Sequence, residues 1–149
     1  MRELILAVFY WLHLVATVIW IGGITFILFI AMPAAKQVLG AEAGKLMGEI
    51  SKRFTPLANY SIIFMIVTGI ALTSSNKWTW VLIIKHALVS GMVAVHFYRG
   101  LVLAPKIGRA EAVSQKIFLQ KLSLNLIKVN FCLGMAVLFF SGLTSALYR

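Results

Sequence analysis

Apolar residues run almost unbroken over residues 4–32, and His13 is the one ionisable side chain among them. A helix rises about 1.5 Å per residue and the hydrocarbon core of a bilayer is about 30 Å thick, so a run of this length crosses with tilt. Three further apolar stretches follow, roughly residues 56–73, 79–104 and 125–147. Pro33 is expected to end the first span and Pro105 the third, while Pro56 suits the opening turn of the second. Residues 34–55 are charged and carry Gly40, Gly44 and Gly48 at four-residue spacing, a pattern for a short interfacial helix or for an extension of a neighbouring span. Ser74 to Lys77 reads as a polar turn. Trp78 and Trp80 stand where an aromatic belt belongs, with Tyr10 and Trp11 near the matching end of the first span.

The expected fold is therefore all-α: one integral membrane domain over residues 1–149, a four-helix up-down bundle. An internal echo suggests a tandem repeat of two helix pairs. Met32-Pro33-Ala34 ends the first span as Ala104-Pro105-Lys106 ends the third, and Thr68-Gly69 in the second matches Ser141-Gly142 in the fourth. Pro33 and Pro105 stand 72 residues apart, Gly69 and Gly142 stand 73 apart. Two helix pairs of one orientation form a parallel repeat.

Composition agrees with the pattern. Of 149 residues 61% are hydrophobic and 12% charged, and there is no Asp. A net charge of +10 in a soluble chain would suggest nucleic acid, but the placement of the cations argues otherwise. Lys36, Lys45, Lys52 and Arg53 lie between the first two spans, and Lys106, Arg109, Lys116 and Lys121 between the last two. Only Arg2, Lys77 and Arg149 lie on the opposite side. This asymmetry puts both long loops in the cytoplasm and both termini outside, with the lipid bilayer as partner and no nucleic acid. The first run is too long for the core of a cleaved signal and reads as a retained helix. Cys132 is the single cysteine, so there is no disulfide framework.

The chemistry rests on histidine. His13, His86 and His96 all fall inside predicted spans, where an ionisable side chain is expensive and marks a candidate site. His13 and His86 lie about nine and seven residues from the outer ends of their spans, depths that agree within about 5 Å. Two neutral imidazoles at one depth are what bis-histidine haem ligation needs. An offset of 73 carries His13 onto His86, and 72 carries it onto Lys85. Trp20 lies seven residues after His13 on one helix face, and Gly23 gives a flat ring room to approach the backbone. His96 is about 15 Å deeper than His86 and shares a face with Lys85 and Met92. It is a second haem ligand, part of a soft copper site with Met65 and Met92, or a hydrogen-bonding residue. Lys85 snorkels to the interface or meets a haem propionate. The methionines read first as core filler and Trp20 as a packed aromatic. No catalytic residue stands out: the glutamates form no paired-carboxylate geometry, and no phosphate loop, zinc spacing or nucleophile elbow occurs.

Leu12-His13, Trp20-Ile21-Gly22-Gly23 and Met32-Pro33-Ala34, with Thr68-Gly69 and the segment from Ser141 to Ser145, resemble the copper resistance protein D (CopD) family. Leu12-His13, Trp20 and Gly23, and Lys85 followed eleven residues later by His96, look similar to HemJ-type protoporphyrinogen oxidases of the same superfamily. The resemblance implies a haem-b-binding four-helix membrane protein that transfers electrons or oxidises a hydrophobic substrate, an oxidoreductase in the HemJ case. Copper transport or resistance is the alternative. A third reading is an accessory subunit of a larger oxidoreductase complex, with partner membrane subunits or a homo-oligomer. His86 matches neither family motif. The expected location is a bacterial or archaeal cytoplasmic membrane.

Overall fold

The computed structural model describes residues 1–74 and 79–147 and is helical throughout, with no strand among them. Three stretches are long and apolar enough to cross a membrane: Arg2–Thr73, Trp80–Arg109 and Val113–Leu147. The chain divides into two compact units, Met1–Lys77 and Trp78–Arg149, each a helical hairpin.

In the first unit, α1 (Arg2–Phe26) passes through a π-helical segment (Ile27–Ala31) into α2 (Met32–Leu39). A tight turn at Gly40–Glu42 leads into α3 (Ala43–Ser74), which packs back along α1. Pro33 does not end the helix as expected. Proline lacks the N–H that an α-helix needs and its ring crowds the preceding carbonyl, and the wider π turn just before it accommodates both. The Met32 N–H accordingly donates five residues back, to the Ile27 carbonyl. The reversal falls instead at Gly40, whose φ of 52° lies in the region that glycine adopts without strain. Residues 43–55 prove to be an extension of the second span, and Pro56 lies inside α3 rather than at its start. A Cβ at Gly44 or Gly48 would meet nothing within 4 Å, so their spacing marks no packing seam.

The second unit repeats the plan. Thr79 caps α4 (Trp80–Phe97), its hydroxyl accepting from the Leu82 N–H at 3.3 Å. A π-helical segment (Tyr98–Leu103) carries the helix past Pro105 into α5 (Ala104–Arg109), and the Ala104 N–H donates to the Arg99 carbonyl. Here too proline does not stop the helix. After a short break, α6 (Val113–Leu147) returns along α4 and starts well before residue 125. The expected turn residues Ser75 to Lys77, the belt residue Trp78 and the terminal Arg149 lie outside the described residues. Tyr10, Trp11 and Trp80 are exposed, as lipid-facing belt aromatics would be.

Candidate functional site: an imidazole held between two helices

His13 is half-buried on α1 and reaches across the first unit to α3, where its Nδ1 lies 2.9 Å from Thr68 Oγ1. Thr68 is 1% exposed, and its hydroxyl donates to the Phe64 carbonyl at 2.6 Å. A hydroxyl has one proton, and this one is committed to its own helix, so Oγ1 accepts from His13. The network thereby puts a proton on His13 Nδ1. Gly69 completes the seat: a Cβ there would stand 3.3 Å from His13 Cε1, closer than side chains normally pack.

Trp20 is 1% exposed, and its ring belongs to the core. A flat ring does lie on the backbone of Gly23, and it is that of Phe54 from α3. Any Cβ at Gly23 would overlap it. The space that suggested a cofactor plane is thus taken by the protein's own aromatic. Phe26, Ile27, Ile50, Arg53 and Leu57 join Gly23 and Phe54 around an open apolar cleft of about 330 Å3.

Lys85, His86 and His96 all lie half-buried along α4 in the second unit. His86 Nδ1 donates to the Leu82 carbonyl at 2.7 Å, one turn back on its own helix. A carbonyl only accepts, so His86 also holds its proton on Nδ1. His96 meets Phe97 edge to face, with ring centroids 5.5 Å apart. Ten residues of helix put His86 and His96 about 15 Å apart, so they are rivals for one metal position rather than joint ligands. Met92 is 1% exposed and Cys132 is exposed. Among the described residues no three His, Cys, Asp or Glu side chains gather as a metal-binding group.

A polar link across the second unit is one that sequence reasoning misses. Arg99 Nε donates to the Ser123 carbonyl at 3.2 Å, and Arg99 Nε and Nη2 each lie 3.3 Å from the Ser123 hydroxyl. In the sequence Arg99 reads only as a cation near the end of the third apolar stretch. Its position inside an otherwise apolar helix is the available signal, since such a cation needs a partner. Thr68 is likewise missed as the partner of His13, although the Thr-Gly pair is visible. Phe54, the first residue after the last charge of α3, carries no signal of its contact with Gly23.

No curated protein and no solved structure matches the chain. A family profile covers residues 15–116, starting just after His13 and taking in Thr68, Lys85, His86 and His96. The chain belongs to that family, described as a domain of unknown function, DUF4149.

Proposed function

We propose that the chain is a haem-b-binding integral membrane redox protein, with Nε2 of His13 as an axial ligand and His86 and His96 as the candidate ligands of the second unit. The observation that carries the reading is the Thr68 hydroxyl on His13 Nδ1. Metal-ligating histidines donate their other ring nitrogen to a fixed acceptor, which orients the ring and raises the basicity of the ligating nitrogen. His86 has the same arrangement through the Leu82 carbonyl. Lys85, in an apolar stretch of α4, offers a cation to a carboxylate such as a haem propionate. At Gly23 the ring that lies against the backbone is that of Phe54. When bound, haem supplies a one-electron couple for electron transfer or for oxidising a hydrophobic substrate. The chain's own residues hold the ring, put a proton on its Nδ1 and keep its surroundings dry.

The similarity to the CopD and HemJ families supports the same reading. The exposed Tyr10, Trp11 and Trp80 fit belt positions near the ends of membrane spans. The test is an absorption spectrum, a pyridine haemochrome assay and metal analysis on detergent-purified protein. A Soret band that His13→Ala largely removes is the expected result. His86→Ala and His96→Ala then identify the second ligand. Stoichiometric copper without haem would move the assignment to copper transport or resistance, with His96, Met65 and Met92 as candidate soft ligands. Neither haem nor copper would end both.

A further inference from the structure

The apolar cleft of the first unit lies where the charges of α3 stop. Arg53 is the last of them, and from Phe54 to Asn76 the chain carries none. The cleft runs from Arg53 and Ile50 at that boundary to Leu57 on α3, and is closed on the α1 side by Phe26, Ile27 and Gly23. Its wall is almost entirely hydrocarbon. Its volume of about 330 Å3 falls within the range of small-molecule sites. Two features adjoin it. The Phe54 ring drops onto the bare backbone of Gly23, and α1 widens into its π-helical segment at Ile27.

The charges in the segment that precedes Phe54 differ in what they have left to offer. Glu42 is paired with Lys45, and Glu49 with Lys52 at 2.6 Å. Arg53 makes no salt bridge at bonding distance among the described residues, although, after Lys52, its charge helps to lower the Glu49 pKa, and it stands exposed in the lining of the cleft. A guanidinium exposed beside a hydrocarbon groove matches an amphiphile with an anionic head and an apolar tail. In a membrane protein such an amphiphile is a phospholipid.

We propose that this cleft is a binding site for an anionic phospholipid, with one acyl chain lying against Phe26, Ile27, Phe54 and Leu57 and the phosphate held by Arg53. The site is independent of any haem, because none of its residues holds His13.

The test is native mass spectrometry of the full-length chain, purified in detergent and offered phosphatidylglycerol and phosphatidylcholine with identical acyl chains. The wild type is expected to retain phosphatidylglycerol about fivefold better, which is what one arginine near an anionic surface provides. Arg53→Gln should abolish the preference and leave residual binding of both lipids. Leu57→Trp, which fills the groove, should lower retention of both. Ile50→Phe narrows the groove from the opposite end and should do the same. Lys36→Gln, which removes an equal charge away from the cleft, should leave the preference intact. The proposal is overturned if Arg53→Gln keeps the preference, if Lys36→Gln removes it equally, or if both groove-filling variants bind lipid as the wild type does.

Discussion

The two units share a backbone plan and differ in the polar chemistry laid on it. Each begins with a helix that widens into a π segment just before a proline, and in each an N–H donates five residues back: Met32 to Ile27, Ala104 to Arg99. These positions stand 72 residues apart, and buried positions follow the same offset. Trp20 corresponds to Met92, Ala31 to Leu103, Ala58 to Asn130, Ile62 to Gly134 and Met65 to Val137, all buried. The offset of 72 places Lys85, rather than His86, at the position of His13. The first unit joins its helices far from the turn, through His13 and Thr68; the second joins them nearer its turn, through Arg99 and Ser123. The counterpart of Arg99 is the apolar Ile27, and that of Thr68 is Phe140, while the adjacent Ser141 donates to its own helix at 2.8 Å. Among the described residues packing is repeated, whereas the imidazole bonded across to the facing helix is that of His13 on Thr68, and His86 is bonded back to its own helix.

The contrast can be broken at the second unit first. Arg99→Met keeps the apolar stem and removes the donors, so stability should fall by about 2–3 kcal/mol, the usual range for bonds to a charged group. Ser123→Ala should cost less, since the backbone carbonyl still accepts. Unfolding in mixed micelles would read both, and equal losses would mean that the hydroxyl rather than the carbonyl holds the guanidinium. The next effect belongs to the first unit. Thr68→Val leaves the His13 N–H without its acceptor and should cost about 1–3 kcal/mol. Ser141→Ala, which removes only a bond within one helix, should be near neutral. Matching losses at Thr68 and Ser141 would erase the distinction between the units.

How far the sequence shows these features depends on the range of the interaction. Apolar runs long enough to cross a bilayer, the echo of Pro33 in Pro105 and the histidines inside the spans are local patterns and can be read directly. The prolines mislead, because their usual effect of ending a helix is offset by π segments with no sequence signature of their own. The choice between offsets of 72 and 73 needs buried positions, since a single residue turns a helix by about 100°. Thr68 under His13, Ser123 under Arg99 and Phe54 over Gly23 are contacts between helices whose register is set by packing. Each partner is an ordinary residue type in its own stretch of chain. The glycines show the same limit: Gly22 and Gly23 are neighbours in sequence, yet only Gly23 has a ring against it.

The smallest predicted effect is also the most direct comparison between the units. Replacing a helical glycine by alanine ordinarily gains about 0.5–1 kcal/mol, because glycine loses more backbone freedom on folding. At Gly142 a Cβ would meet nothing within 4 Å, so Gly142→Ala should gain that amount. At Gly69 the same methyl stands 3.3 Å from His13 Cε1, and the ring must yield by a few tenths of an ångström. The yielding strains the 2.9 Å bond to Thr68, so the gain should be cancelled or reversed and the imidazole resonances of His13 should move. Haem loading, where present, should fall for Gly69→Ala and hold for Gly142→Ala. A Gly69→Ala variant that gains as much as Gly142→Ala with an unmoved imidazole would mean that the ring has slack on its α3 side. The Thr68 bond would then follow from proximity rather than from a built seat, and the asymmetry between the units would lose its functional meaning.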